Sequence, residues 1–231
     1  MWDFVEGEVL AFDKPLHWTS FDLVAKVRYA LCRKLGQKKL KVGHSGTLDP
    51  LATGVVIVCT GKKTKWIERL QYDVKEYVAT LQLGATTPSY DMEKPVDATY
   101  PTAHITRELI DTTIPQFLGE QWQVPPMFSA VQINGKRAYE LARKGETVEL
   151  KPKLLVIDEI EVLSFDEVQK LLSIRVVCSK GTYIRALARD IGERLNSGAY
   201  LTALRRTRVG DTRVEDCMTI EKFLEQLTAE C

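Results

Sequence analysis

Apolar positions recur along this chain in two rhythms, and the switches between them mark out its elements. Val24, Val27 and Leu31 fall three and four residues apart, which keeps one face of a helix apolar. Thr19-Ser20-Phe21-Asp22 has the form of a capping box, in which two side chains satisfy orphan amides at a helix start. A helix over 20–34 is predicted. Leu172, Ile174, Val176 and Cys178 alternate instead, so 170–178 reads as a strand with 154–164 as its partner. Strands are also predicted at 7–12, leading into the turn Asp13-Lys14-Pro15, at 54–59, at 74–84, and as short pieces through 200–214. Helices are predicted near 62–70, at 106–118 with a bend or stop at Pro115, at 138–144 before Gly145, at 182–195 and at 219–228. Asn134-Gly135 is a hairpin signal. Hairpin-linked strands with interspersed helices predict an α/β (α+β) fold: a mixed, mainly antiparallel central sheet flanked by helices.

The 231 residues suit one large domain or two small ones. No apolar run approaches the roughly 20 residues of a membrane span; the longest, Gly54 to Cys59, is one buried strand. Asp3, Glu6 and Glu8 stand where an export signal would carry Lys or Arg. Cys32, Cys59, Cys178, Cys217 and Cys231 are odd in number, scattered and without CxxC spacing, which points to free thiols in a reducing cytoplasm.

Charge changes this picture only when it is read by position. Lys+Arg 32 against Asp+Glu 31 sums to +1, which taken alone argues against a nucleic-acid binder. Within residues 23–67, however, Lys26, Arg28, Arg33, Lys34, Lys38, Lys39, Lys41, Lys62, Lys63 and Lys65 surround a lone acid, Asp49. The acids gather elsewhere, at 86–120 and 214–231. A basic region attracts phosphate backbones, although a solvated lysine-rich helix face would read the same way. Cationic surroundings favour the charged form of a carboxylate. An anion there opposes polyanion binding, and it makes sense if the carboxylate acts on the bound substrate; a turn-forming Asp-Pro is the plainer alternative.

The string Gly43-His44-Ser45-Gly46-Thr47-Leu48-Asp49-Pro50-Leu51-Ala52-Thr53-Gly54 closely resembles the catalytic motif of TruB-type pseudouridine synthases. Asp13-Lys14-Pro15 with Thr19-Ser20, Lys75-Glu76-Tyr77, and Leu83-Gly84 through Asp91 resemble further family motifs. So do Val124 to Ala130 with Gly135-Lys136 and Ala138-Tyr139, Cys178 to Arg185, and Leu204-Arg205-Arg206. The likeness covers about residues 7–225. It implies a single pseudouridine synthase catalytic domain over 1–231, with an RNA-gripping insertion at about 120–148.

The resemblance also implies the chemistry. The N1–C1′ bond of uridine breaks, the uracil rotates, and C5 bonds to C1′; no atoms enter or leave, so no cofactor or metal is required. Asp49 takes the role of the carboxylate that assists bond cleavage, by attack on the sugar, by a glycal route or by attack on the base. Tyr77 stacks on the flipped uracil, where core packing is the ordinary alternative for a strand tyrosine. Arg185 pairs with Asp49. His44 occupies space near the extruded nucleotide, and Tyr183 and Leu204 wall the base pocket. Gly46 and Thr47 belong to the substrate-binding loop, and Lys14, Lys136 and Arg205 are expected phosphate contacts, with Arg137 and Arg143 beside them.

The segment Thr87-Pro88-Ser89-Tyr90-Asp91 departs from the family pattern, because Pro88 stands where an acid is common, although Asp91 remains. Many relatives continue into a PUA RNA-binding domain, which this sequence is expected to lack. The implied partner is tRNA, recognised through its T-arm stem-loop, and the reaction is isomerisation of uridine 55. No membrane or obligatory protein partner is implied, and a monomer is expected. A guide-RNA-dependent relative acting on ribosomal RNA shares the Gly-His-Ser-Gly-Thr-Leu-Asp-Pro string and is the alternative within the class. An RNA-folding chaperone is the alternative outside it.

Overall fold

A nine-residue run from Ala52 to Thr60 is buried almost throughout, as a strand must be when both of its faces are covered. The computed structural model describes residues 2–129, 131–133, 135–146 and 148–229. Ala130, Asn134 of the hairpin signal and Cys231 lie outside the described residues. In chain order the elements are β1 (Val9–Lys14), α1 (Ser20–Lys34), β2 (Val42–His44), β3 (Ala52–Thr60), a 3-10 helix (Gly61–Trp66) running into α2 (Ile67–Leu70), and β4 (Lys75–Leu83). There follow β5 (Ala85–Thr86), β6 (Ala98–Thr99), α3 (Arg107–Thr113) continued by a 3-10 turn (Ile114–Phe117), and β7 (Gly119–Gln123). Then come β8 (Gln132–Ile133), β9 (Lys136–Arg137), α4 (Ala138–Arg143), β10 (Lys153–Asp166) and β11 (Leu171–Cys178). The chain continues through α5 (Ile184–Arg194), β12 (Ala199–Val209), β13 (Thr212–Arg213), a 3-10 turn (Val214–Asp216) and α6 (Ile220–Ala229).

These elements form two compact units: Met1–Tyr77 with Leu204–Cys231, and Val78–Ala203. In the first, β1 and β2 run antiparallel to β3, and the end of β12 runs parallel to it, with Leu204, Arg205 and Arg206 opposite Ala52, Thr53 and Gly54. One side of β3 packs Val55 and Ile57 with Val209 and Val214. Phe12 meets Phe223 of α6 edge-on at 5.3 Å, and Phe223 also touches Trp2 and Phe4. Helix α1 spans the predicted residues, and both halves of its Thr19–Asp22 capping box are made.

In the second unit the antiparallel pairs β7–β10 and β10–β11 are extended by the Val78–Leu83 part of β4, beside β11, and by the start of β12. Leu172, Ile174 and Val176 of β11 are fully buried with Ala79 and Leu81 of β4, and α5 adds Leu187 and Ile191 to the core. The mixed, mainly antiparallel sheet flanked by helices is as expected. Two of the differences from the expected boundaries bear on the site. Strand β1 runs on through Lys14, and the pieces expected over 200–214 are mainly one eleven-residue strand, β12. Its charged stretch Leu204-Arg205-Arg206 hid it, because the buried Arg206 breaks the apolar alternation. Among the described residues no helix is long and apolar enough to cross a membrane.

Candidate active site

Asp49 sits half-buried on the loop between β2 and β3, between the buried Leu48 and the exposed Pro50. Its backbone is tied at many points. Ser45 N donates to Ile57 O (3.0 Å), Ala52 N to Asp49 O (3.0 Å), and His17 N to Pro50 O (2.8 Å). Ser20, at the start of α1, accepts from Leu48 N (2.9 Å) and donates to Leu48 O (3.2 Å) through the same buried hydroxyl. Arg206, 3% exposed, donates from Nη1 to Thr47 O (3.3 Å), from Nη2 to Gly46 O (3.2 Å) and from Nε to Val55 O (2.7 Å). A loop with its buried polar groups paired in this way has little freedom left.

His44 ends β2. Its Nδ1 accepts from Gly46 N at 3.3 Å, which places the proton of a neutral ring on Nε2. Burial holds its pKa below the ordinary histidine value, and the Arg206 cation lowers it further. A neutral imidazole can stack on a base and donate one hydrogen bond. Tyr77 lies in β4 on the buried side of an in-out alternation that also buries Lys75. The adjacent Glu76 accepts from Thr207 Oγ1 at 2.8 Å. Leu204 is half-buried opposite Ala52, and Thr47 is exposed.

Lys14 differs from the phosphate contact expected of it. It is fully buried, and its ammonium donates to Pro15 O (2.9 Å) and Trp18 O (2.6 Å). Desolvation pushes its pKa down to about 8, against the opposing pull of the Asp49 carboxylate. An internal cation with satisfied donors shapes the turn before α1 and offers nothing to an RNA backbone. Arg205 is partly exposed but grips Asp13 with both Nη atoms (2.7 and 3.2 Å) and donates to Thr53 Oγ1 (3.0 Å). The open basic surface lies elsewhere in this unit. Arg28, Lys38, Lys39 and Lys41 line a cavity of about 900 Å³ with Thr64 and Ile67.

The second unit carries Arg185, Tyr183 and Lys136. Arg185 opens α5, 6% exposed, and donates to Ser89 O (3.2 Å) and Phe128 O (2.9 Å), with Asp91 Oδ2 at 3.7 Å from Nε. Asp91 thus supplies an acid to Arg185 even though Pro88 alters the segment before it. Tyr183 is held at its backbone by Gln123, whose Oε1 accepts from Tyr183 N (2.9 Å) and whose Nε2 donates to Tyr183 O (3.2 Å). Lys136 is exposed on the β8–β9 hairpin.

Ser20, Arg206 and Gln123 had no stated role in the sequence reading. Ser20 is legible only as part of a helix cap, and Arg206 as a motif arginine within the basic cluster Arg205-Arg206-Thr207-Arg208, which reads as phosphate-attracting surface although Arg206 is buried. The signal for Arg206 was the strand period itself, which sends Arg205 and Arg206 to opposite faces. Among the described residues no group of three or more His, Cys, Asp or Glu is placed to hold a metal ion.

Comparison with known proteins gives the class to which this fold and loop belong, the pseudouridylate synthases. A profile described as "TruB family pseudouridylate synthase (N terminal domain)" matches residues 33–184, and "tRNA pseudouridylate synthase B C-terminal domain" matches 185–230. The chain belongs to the TruB family, and it is an enzyme of the isomerase class. It is 68% identical over 225 residues to tRNA pseudouridine synthase B of Phocaeicola vulgatus, covering 97% of this chain and 95% of that protein. The protein of the same name in Flavobacterium johnsoniae is 51% identical over 228 residues, covering 97% of this chain and 98% of its own length. Among solved structures the chain is similar to one in the crystal structure of a Cbf5-Nop10-Gar1 complex. There the TM-score is 0.70 at 28% identity, over 96% of this chain and 54% of the other.

Proposed function

We propose that the chain isomerises uridine 55, in the TΨC loop of tRNA, to pseudouridine, and that Asp49 is the carboxylate that assists glycosidic cleavage. That the substrate is tRNA rests on relatives named tRNA pseudouridine synthase B at 68% identity and near-full coverage. The solved chain in a Cbf5-Nop10-Gar1 complex, at 28% identity, is a more distant likeness. The observation that carries the assignment of Asp49 is its loop. Hydrogen bonds exchanged with Ser20 and donated by Arg206 fix the residues just before Asp49 within a family motif. Preorganisation of this kind lowers the cost of reaching a reactive geometry.

In this reading the target nucleotide leaves its stack, at a cost of a few kcal/mol. His44 fills part of the space and donates from Nε2, and Tyr77 offers a ring for the uracil. Tyr183 and Leu204 form the apolar walls, and Gly46 and Thr47 present the loop. Arg185 joins the catalytic set through the family motif that carries it. Lys136 on the insertion at about 120–148, and Arg205 where it outreaches Asp13, contact phosphates. Incubating the protein with unmodified tRNA transcript and mapping pseudouridine nucleotide by nucleotide tests the proposal. Modification at the single T-loop uridine is expected; modification elsewhere in tRNA, or in ribosomal RNA alone, would overturn it.

A further inference from the structure

Two consecutive arginines on β12 do different work. Arg205 turns to Asp13 and Thr53 and keeps part of its guanidinium in solvent, whereas Arg206 is buried and every acceptor it takes is a backbone carbonyl. Those carbonyls bracket the reacting carboxylate. Gly46 and Thr47 lie just before Asp49, and Val55 lies beyond it in β3. A guanidinium is planar, with donors in a fixed fork, so bonds to all of them tie the entry of the loop to the strand at its exit. Burying a cation is costly unless its donors are satisfied. Here the satisfied donors fall on the segment that carries Asp49.

The position of the backbone is fixed as well. Arg206 is the register partner of Gly54, and a Cβ on Gly54 would lie 2.1 Å from the Arg206 carbonyl oxygen. The side chain therefore starts from a closely defined point. Its charge reaches the neighbouring groups, since it lowers the pKa of both His44 and Lys14.

We propose that Arg206 is a positioning residue of the isomerisation: its guanidinium fork sets the path of the loop from Gly46 to Val55, and through it the aim of Asp49, without touching the RNA. The inference rests on Asp49 being the reacting carboxylate. It predicts that Arg206→Lys, which keeps the charge and loses the fork, fails almost as badly as Arg206→Gln.

The test compares both variants with the wild type on unmodified T-arm RNA, with folding checked by thermal melting. The expected result is a fall in kcat of at least about tenfold for each, with KM for RNA changed less than about threefold. An interaction that acts on the transition state and not on binding gives this split. In parallel, NMR titration of the His44 ring should show its pKa rising in Arg206→Gln and staying near the wild-type value in Arg206→Lys.

Wild-type kcat in either folded variant would overturn the proposal, as would equal losses in kcat and RNA affinity. An Arg206→Lys chain that does not fold would also overturn it, by assigning the residue to the core. Asp49→Asn, run alongside, separates the two claims. If it turns over, the carboxylate assignment falls and takes the positioning role with it. If it is inactive while the Arg206 variants keep wild-type kcat, only the positioning role falls.

Discussion

Gly54 and Arg206 face each other across the parallel pairing of β3 with β12, so closely that no side chain fits on Gly54. Gly54 also adopts φ +110°, a conformation that L side chains rarely take. Gly54→Ala therefore meets both backbone strain and a steric block. A loss of at least about 3 kcal/mol in urea unfolding is expected. A loss below about 1 kcal/mol, typical of an unconstrained site, would contradict the register described for these strands.

Gln123 makes a two-way bond with the backbone of Tyr183, the residue that leads into α5. Gln123→Leu keeps the bulk and removes both bonds; Tyr183 O keeps the bond from Leu187 N (3.0 Å), whereas Tyr183 N loses its Gln123 acceptor. Stability should fall by about 2–3 kcal/mol. Hydrogen exchange should report faster opening at the amides of 183–187 than at those of β11. Uniform loss of protection across the unit would argue against a local clamp.

Lys14 gives the protein a pH signature. Burial lowers its pKa from 10.5 to about 8. Between those values the unfolded chain binds more protons than the folded one, so this group makes stability rise with pH. The burial penalty is fully present below the folded value and has gone above the unfolded one, a span of about 3 kcal/mol. Lys14→Met should abolish the rise, as shown by unfolding free energies measured from about pH 7.5 to 10.5. An unchanged slope would place the ammonium in solvent.

Because Lys14 is internal, the salt dependence of RNA binding should come from the open cations instead. Lys38→Ala, Lys39→Ala and Lys41→Ala are each expected to reduce the slope of log K against log salt by about 0.7–0.9. Fluorescence binding curves at several salt concentrations measure this. If the slope is unchanged in all of them, the cavity they line with Arg28 is not an RNA contact.

Local signals carried much of this fold. The Thr19–Asp22 cap and the spacing of Val24, Val27 and Leu31 placed α1 at its observed ends, and the alternation through Cys178 placed β11. Pro115 marked where α3 gives way to a 3-10 turn. Arg206 and Lys14 stayed hidden because composition treats a cation as surface. Tertiary structure brings the Val55, Thr47 and Gly46 carbonyls to Arg206, and the turn that follows Lys14 folds the Pro15 and Trp18 carbonyls onto its ammonium. Likewise, Gln123 becomes informative once β7 places it against Tyr183, some sixty residues away in sequence.

Asp49, held on its pinned loop, is proposed to perform the chemistry. Pseudouridine formation by Asp49→Asn on unmodified T-arm RNA, measured beside its affinity for that RNA, tests this most directly. The substitution keeps the shape and removes the charge. Product should fall to background while binding stays within about tenfold, about 1.4 kcal/mol. Turnover at a wild-type rate would rule out Asp49 as the reacting carboxylate.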